Sequence, residues 1–343
     1  MRRLKAVVSA MASVSACRQM VAAASAEDRC PVICAVARTP FGRYRGALRG
    51  YSSVELGAFA AAEALRRAGV DPSSGLVDEV IFGQVLQAGV GQSPARQVAL
   101  AAGLPVSTPC TTVNKVCGSS LKTVMLAASA IRAGEYELVL AGGMESMTNA
   151  PSFIPAGAPP DTKPRSTLFD DGLKDPWSGE MMGETGETCS QTHNISREAA
   201  DSFAAQSHAL ATAAWDSGVM SWECFPVPGL NKGGDPITLE RDEGIRTGAS
   251  EAILSQMNPS FLEGGCVTAG NASQLSDGGA AVLVASAAAA RKHGWPVLAL
   301  VLDQTTSALA PRDVMSAPIP AVARLLERNQ VRADIIGHAR INM

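Results

Sequence analysis

Aromatic side chains, histidine and net charge are all scarce in this sequence. Only 4% of its 343 residues are Phe, Trp or Tyr, four are His, and the formal net charge is −3. A charge so close to zero provides no global basic field, so nucleic acid is not predicted as a partner. No stretch approaches the ~18 consecutive apolar residues that a membrane-spanning helix requires, so no membrane span is predicted either.

Closely paired cysteines are also missing. The sequence has eight cysteines but no CxxC pair, and its four histidines are scattered. Zinc sites use closely spaced Cys and His ligands, so no metal site is predicted. A disulfide scaffold is typical of short secreted chains rather than one of this length, which favours a reducing compartment. The cysteines are at positions 17, 30, 34, 110, 117, 189, 224 and 266.

The first 26 residues differ in composition from the rest. Residues 1–26 contain four basic side chains and no acid, since the first acidic residue is Glu27, and Ser and Ala are abundant. Basic, Ser-rich and acid-poor beginnings are typical of mitochondrial transit peptides. A secretory signal with its apolar part at 6–16 is the competing interpretation, and peroxisomal and cytoplasmic locations remain alternatives. The last three residues, 341–343, are not a peroxisomal signal of the SKL type.

Beyond the leader, the chain divides into three parts. Residues 27–143 alternate short apolar runs with helical patterns, which predicts an α/β layered fold. A helix is predicted over 53–67 with Ser53 or Ser52 as its N-cap, and a buried strand over 137–141 is expected to end at 142–143. Residues 144–276 are richer in Pro, Gly and charge, and we expect an insertion that carries substrate contacts. Residues 277–343 return to the α/β pattern, with a strand predicted over 297–302.

Cys117 has the local surroundings of a nucleophile. Val113 to Val116 is interpreted as a strand-like run that leads into Cys117, and an apolar helix is predicted over 119–133. The N-terminus of a helix presents unpaired N–H groups and the positive end of the helix dipole, which favour thiolate over thiol. Gly118 permits a tight turn and a close approach of a ligand to the backbone. From position alone, a small buried core cysteine explains Cys117 equally well.

Five segments in the same order resemble the thiolase family. Residues 114–120, Asn-Lys-Val-Cys-Gly-Ser-Ser, resemble the family's nucleophile motif N-[KR]-x-C-[AGS]-S. The other four segments are 38–42, 91–97, 141–147 and 271–281, of which the last begins Asn-Ala-Ser. The resemblance extends over about residues 30 to 335. Five ordered motifs identify the chain as a member of this family.

The resemblance implies a fold and a site. Cys117 is expected to attack a thioester carbonyl, to become acylated, and to contribute its own N–H to an oxyanion hole. Ser273 is expected beside the pantetheine arm of coenzyme A, and Met182 and Gly183 in the wall of its tunnel. A turn hydroxyl is the alternative for Ser273, and a core-filling role for Met182. The implied fold is a five-layered α-β-α-β-α sandwich of two similar halves in a homo-oligomer. The substrate is a coenzyme A thioester, and no metal or cofactor is implied.

The family pattern does not continue to the end of the sequence. An Asn-Glu-Ala-Phe segment, a Gly-His-Pro loop with the family's histidine, and a Cys-x-Gly-Gly-Gly loop with its second cysteine are absent from it. His338 follows Gly337 but no Pro-x-Gly follows, so it is not predicted to be the base. His193 and His208 are predicted to be surface or helix residues. We therefore expect a truncated second half, with apolar faces left uncovered, low stability and little activity.

Three functions remain open within this resemblance. The forms of 114–117 and 141–147 are most similar to short-chain thiolases, which implies the reversible joining of two acetyl-CoA to acetoacetyl-CoA. A 3-ketoacyl-CoA thiolase of β-oxidation is the alternative within the family. A non-catalytic relative that binds coenzyme A or a partner subunit is the alternative of another class. Condensing enzymes of fatty-acid synthesis share the cysteine but usually lack the Asn-Lys-x-Cys form.

Overall fold

The computed structural model of the protein describes residues 27–333. The predicted transit peptide, 1–26, and the tail with Gly337 and His338 lie outside the described residues. The helices are α1 (Ser53–Ala68), α2 (Pro94–Ala101), α3 (Ser119–Ala133), α4 (Thr167–Asp170), α5 (Met182–Thr192), α6 (Arg197–Asp216), α7 (Glu251–Leu254), α8 (Ala287–His293) and α9 (Pro318–Arg328), with 3₁₀ turns at Pro72–Ser74, Val219–Trp222 and Pro311–Ser316. The strands are β1 (Pro31–Arg38), β2 (Gly42–Arg43), β3 (Glu79–Gly83), β4 (Cys110–Val113), β5 (Leu138–Ser146), β6 (Ser152–Phe153), β7 (Arg165–Ser166), β8 (Val227–Leu230), β9 (Pro236–Leu239), β10 (Ser276–Ser286) and β11 (Ala299–Leu300).

The predicted helices form where the local signals place them. The Ser52 side chain caps α1 by accepting from the N–H of Glu55, and the Glu55 carboxylate accepts from the N–H of Ser52 at 2.8 Å. Gly69 ends α1 and Gly134 ends α3, both in the left-handed conformation that glycine adopts easily. The helices predicted over 53–67 and 119–133 are therefore confirmed. None of the described helices has both the length and the apolar composition needed to cross a bilayer.

The central sheet brings five strand ends to one edge. Its strand order is β11-β1-β10-β5-β3-β4, with β2 paired to β10. Strand β3 is parallel to β4 and β5, whereas β10 is antiparallel to β1 and β5. The C-terminal ends of β1, β3, β4 and β5 therefore lie beside the beginning of β10. We call this edge the site edge.

Successive strand residues face opposite helical layers. Val80 and Phe82 belong to the core cluster that contains α1 and α2. Ile81 and Val139 pack with Ile131 of α3 on the other face. This alternation follows from the two-residue period of a strand, and each such buried side chain stabilises the fold by about 1.5–3 kcal/mol. The sheet and its two helical layers are three of the five layers expected from the family resemblance.

Strand β10 lies on the other side of a predicted boundary. The division at 276/277 assigns this strand to a second half, but the structure places it in the middle of the first sheet. It pairs with β1 from Ala280 to Ser286 and with β5 from Asp277 to Ala285. The sequence pattern identifies a strand here but contains no information about its partners. The strand predicted over 297–302 is reduced to β11, which pairs with β1 at the far side of the sheet.

The segment 144–276 packs against the site edge. It contains helices α4 to α7 and two short hairpins, while β5 continues through the predicted boundary to Ser146. Arg38, at the end of β1, donates to Glu223 at 2.8 Å and to Asp242 at 2.8 Å, and its guanidinium lies 6.0 Å from the Trp215 ring. This partly buried ion-pair network attaches the segment to the sheet.

Candidate active site

Cys117 lies in a sharp turn between β4 and α3. We call residues 114–118 the elbow. Val116, immediately before the cysteine, has a φ of +47°. For a β-branched residue this conformation is strained, by on the order of 1–3 kcal/mol. The turn leaves Cys117 exposed, just before the first turn of α3. The alternative of a buried core cysteine is therefore wrong.

Hydrogen bonds hold the elbow from both sides. The Asn114 Oδ1 accepts from the N–H of Val116 at 3.0 Å. The Ser119 Oγ accepts from the N–H of Lys115 at 2.8 Å and donates to the carbonyl of Val116 at 2.5 Å. The N–H of Cys117 makes no hydrogen bond within residues 27–333. This N–H is therefore a free donor at the nucleophile, as an oxyanion hole requires.

Two glycines let α3 approach the sheet closely. A Cβ on Gly83 would lie 2.7 Å from the Ser119 carbonyl carbon and 2.8 Å from the Ser120 nitrogen. A Cβ on Gly143 would lie 1.8 Å from the Ser120 Oγ. The sequence suggested only that 142–143 ends a strand. The close contact with the nucleophile helix was not foreseen, because it joins segments distant in the chain.

Ser273 is exposed on the loop that leads into β10. Two residues earlier, the Asn271 amide donates to Asp201 at 2.9 Å and to the carbonyl of Cys266 at 2.8 Å. Its Oδ1 accepts from the N–H of Thr268 at 2.8 Å. Asn271 therefore holds the loop, and Ser273 is left with its hydroxyl toward solvent. Sequence reasoning selected Ser273 and overlooked the structural role of Asn271.

Met182 and Gly183 are the first two residues of α5, and both are half-buried. A Cβ on Gly183 would lie 2.1 Å from the Phe261 ring, so this glycine permits a close contact. Phe261 was not predicted as a site residue, and no local signal in the sequence marks it. Further along α5, the Glu187 carboxylate accepts from the N–H of Cys266 at 2.9 Å. Helix α5 and the loop of Ser273 are therefore held together.

The structure places Cys117 and Ser273 at the same site edge. Cys117 follows β4 and Ser273 precedes β10, with β3 and β5 between them. Three strand spacings separate the two strands by about 14 Å. Among the described residues, no hydrogen bond or ion pair joins α5 to the elbow. A ligand that contacts both the elbow and the loop of Ser273 must therefore be elongated.

None of the described histidines is a partner of Cys117. The His193 Nε2 lies 2.9 Å from the Ser316 Oγ, on the exposed end of α5. The His208 Nδ1 accepts from the N–H of Arg246 at 3.3 Å. Burial lowers the pKa of His208, and the positive charge of Arg246 contributes in the same direction. The prediction that His193 and His208 are surface or helix residues is confirmed.

Two carboxylates hold the strand ends beneath the site. The Glu145 carboxylate accepts from the N–H groups of Val85 at 2.9 Å and Leu86 at 3.2 Å. The Asp277 carboxylate accepts from the N–H of Thr148 at 2.9 Å. Burial raises the pKa of both acids. Within residues 27–333, no cluster of three or more His, Cys, Asp or Glu side chains could hold a metal ion.

Comparison with known proteins finds thiolases. The family model for the thiolase N-terminal domain matches residues 31–288, a range that includes β10. An acetyl-CoA acetyltransferase from Cupriavidus necator is 44% identical over 301 residues, which are 87% of this chain and 76% of that protein. The Acat5 thiolase from Ascaris suum, solved in complex with coenzyme A, superimposes with a TM-score of 0.83 at 33% identity, covering 89% of this chain and 78% of that one. Human mitochondrial 3-ketoacyl-CoA thiolase gives the same TM-score and coverage at 34% identity.

Proposed function

The chain belongs to the thiolase family of acyltransferases, and we propose that it is an acetyl-CoA C-acetyltransferase that forms an acyl-enzyme on Cys117. The observation that supports this most directly is the elbow. It presents an exposed thiol and a free N–H at the beginning of α3. The substrate class is taken from the relative of Cupriavidus necator, whose name is acetyl-CoA acetyltransferase.

The first half-reaction uses residues of the elbow. The Cys117 thiolate attacks the carbonyl carbon of acetyl-CoA, and negative charge develops on the carbonyl oxygen. The Cys117 N–H donates to that oxygen at the N-terminus of α3, where the helix dipole also favours negative charge. The carbon–sulfur bond to coenzyme A then breaks. Coenzyme A leaves as the thiolate and takes up a proton, and the acetyl group remains on Cys117.

The second half-reaction forms a carbon–carbon bond. In the second half-reaction that the family resemblance implies, the family's second cysteine takes a proton from the α-carbon of a second acetyl-CoA, and this carbon attacks the acetyl carbonyl on Cys117. The Cys117 thiolate is released and acetoacetyl-CoA is formed. The family segments that carry the histidine and the second cysteine are not in this sequence. Our proposal for the described residues therefore concerns the first half-reaction.

Coenzyme A would lie along the site edge. Its thioester end would be at the elbow, with the pantetheine arm between Ser273 and the start of α5, where Met182 and Gly183 lie. The Acat5 thiolase from Ascaris suum, a chain of the same fold, forms a complex with coenzyme A. The half-buried, mainly apolar wall at Met182 would keep water from the acyl-enzyme.

Rapid-quench mass spectrometry with acetyl-CoA tests the proposal. We expect an acetyl adduct on the Cys117 peptide of the wild-type chain and none on Cys117→Ala. Cys189→Ala is the matched control, since Cys189 is a partly buried cysteine on α5 whose Sγ lies 4.0 Å from the Ser316 Oγ. A folded wild-type chain that binds coenzyme A without forming the adduct would favour the non-catalytic alternative.

Acyl-chain length separates the two thiolase activities. The human structure supports the 3-ketoacyl-CoA alternative, because it is as similar in fold as the Ascaris suum thiolase. In the first half-reaction, acetyl-CoA leaves acetyl on Cys117, whereas tetradecanoyl-CoA leaves tetradecanoyl. We expect the acetyl adduct to form faster. Faster formation of the long-chain adduct would assign the protein to fatty-acid degradation instead.

We also propose a mitochondrial location and a homo-oligomer. The location is supported by the composition of residues 1–26 and by a mitochondrial thiolase among the similar structures. Fusion of residues 1–26 to a fluorescent protein should direct it to mitochondria, and a diffuse signal would contradict this. Light scattering coupled to size exclusion should give a mass of at least two chains, and a monomer mass would contradict the oligomer.

A further inference from the structure

Asn114 uses both ends of its side-chain amide at the elbow. Its Oδ1 accepts from the N–H of Val116 at 3.0 Å. Its Nδ2 donates to the carbonyl of Val85 at 3.3 Å, across the gap between β4 and the end of β3. One side chain therefore connects the residue before the nucleophile to the loop that follows β3.

The loop that receives this bond is itself fixed. The N–H of Gln84 donates to the carbonyl of Val113 at 3.0 Å, which ties the loop to the end of β4. The next two N–H groups, of Val85 and Leu86, donate to the Glu145 carboxylate on β5. Residues 84–86 are therefore held from both neighbouring strands, and they give Asn114 a fixed point of attachment.

Asn114 lies two residues before the strained residue of the elbow, Val116. Val116 has a φ of +47°, in the left-handed region that β-branched residues avoid. A side-chain oxygen two residues earlier gives the N–H of Val116 a partner, and this Asx turn fixes the peptide unit between Lys115 and Val116, where the strained turn starts. Without that partner, relaxation of Val116 would rotate the next peptide unit, which carries the N–H and thiol of Cys117.

We propose that Asn114 is a positioning residue for Cys117: its amide fixes the peptide unit that precedes the strained Val116 and joins the elbow to the loop 84–86. This proposal rests on the proposed role of Cys117 as nucleophile. Asn114 does not touch the reacting atoms. It determines where the thiol and the Cys117 N–H point, so its loss lowers the reactivity of the thiol.

Iodoacetamide alkylation of Cys117, followed by mass spectrometry of its peptide, is the first readout. We expect the rate constant to fall about tenfold in Asn114→Ala, the equivalent of losing one or two ordinary hydrogen bonds. Acetylation by acetyl-CoA should fall by a similar factor. Asn231→Ala is the matched control, because Asn231 also uses both ends of its amide, toward Asp235 in the β8–β9 hairpin. We expect no change in Cys117 reactivity in this control.

The variant Val116→Gly distinguishes positioning from general stability. Glycine adopts a positive φ without the Cβ penalty, so this variant needs the Asn114 oxygen less. In the Val116→Gly background, Asn114→Ala should lower alkylation by less than about threefold. The proposal is overturned by an equal loss in both backgrounds, or by an unchanged rate in folded Asn114→Ala.

Folding failure and failure of the proposed function give different results. If Asn114→Ala alone does not fold, rescue of its folding by Val116→Gly supports the proposal, and no rescue overturns it. If wild-type Cys117 is alkylated but never acetylated, the proposed acetyltransferase activity fails. The alkylation comparison then still decides whether Asn114 positions the thiol.

Discussion

At the scale of single residues, the position of α3 depends on the absence of a side chain at Gly83. Gly83 ends β3 directly beneath the first turn of α3, and an added Cβ would meet backbone atoms of Ser119 and Ser120 below 3 Å. Backbone in a packed helix cannot move aside as the tip of a long side chain can. Any larger residue at this position must therefore displace the elbow together with the helix.

We expect Gly83→Ala to lower the free energy of unfolding by about 1–3 kcal/mol, as overpacking in a core does. Urea denaturation measures this loss, and the alkylation rate of Cys117 should fall with it. Gly186→Ala is the control, since its Cβ would meet Val267 at an ordinary 3.5 Å within α5. There, alanine should leave stability unchanged or raise it by about 0.5–1 kcal/mol. Equal effects of the two changes would contradict the packing argument.

Glu145 makes the stability of the fold at the site edge depend on pH. Burial raises the pKa of its carboxyl above the ordinary value, although two backbone N–H groups act in the opposite direction. In the pH range between the ordinary and the raised pKa, the folded protein binds the proton more tightly than the unfolded chain does. The contribution of Glu145 to the free energy of unfolding therefore falls as pH rises through this range.

Glu145→Gln removes this titration. As pH rises from the ordinary pKa of a glutamate carboxyl to the raised pKa of Glu145, the free energy of unfolding of the variant should fall less steeply than that of the wild type. Urea denaturation at several pH values measures the two slopes. Parallel curves would show that Glu145 has the same pKa in the folded and unfolded chain.

At the scale of elements, helix α6 holds the loop of Ser273. Asp201 is buried on α6 and accepts from Arg197 at 2.7 Å and from Asn271 at 2.9 Å. Arg197 also donates to the carbonyls of Leu254 and Met257. This network joins α6 and α7 to the loop that precedes β10, so the proposed coenzyme A contact depends on a helix 70 residues earlier in the chain.

Asp201→Ala should destabilise the fold by about 3 kcal/mol, because it leaves the Arg197 guanidinium without its buried partner. The Kd for coenzyme A should rise as well, since the loop of Ser273 loses its anchor. Asp216→Ala is the matched control on the same helix, where the carboxylate pairs with Arg241 but its side chain is 62% exposed. We expect a change of about 0–1 kcal/mol there. Urea denaturation and calorimetric titration measure the two quantities.

At the scale of the whole molecule, several large apolar side chains between residues 297 and 319 are exposed. Val297, Leu298 and Ile319 are each at least half exposed, and α9 has no buried residue among those described. The uncovered apolar faces expected from the sequence stay a prediction, because single exposed apolar side chains are common on folded proteins. The predicted low stability and low activity of the chain stay predictions.

Coenzyme A should stabilise the whole molecule if the proposed site is formed. A ligand that binds only the folded state adds about 2.7 kcal/mol at a concentration 100 times its Kd. We therefore expect Tm to rise with coenzyme A concentration, and to rise less in Asp201→Ala. Adenosine monophosphate, which lacks the pantetheine arm, serves as the comparison ligand. An equal rise with both ligands, or none with coenzyme A, would contradict a site that extends along the site edge.

The sequence alone determined the features that depend on near neighbours. A serine cap at 52 or 53 and the apolar pattern over 119–133 are local signals, and they predicted α1 and α3 correctly. The ordered motifs predicted the family and selected Cys117. Helix starts and apolar periodicity are properties of a few consecutive residues, so they are visible in the sequence.

Tertiary structure decided which distant segments meet. The central place of β10, the contact of Gly83 with α3, the bond from Asn114 to Val85 and the anchoring of Asn271 by Asp201 all join segments far apart in the chain. A strand pattern does not specify a partner, and a glycine does not show what approaches it. These contacts form only when the sheet packs with its helical layers. The groups that make them are far apart in the sequence, so no local pattern shows which of them will meet.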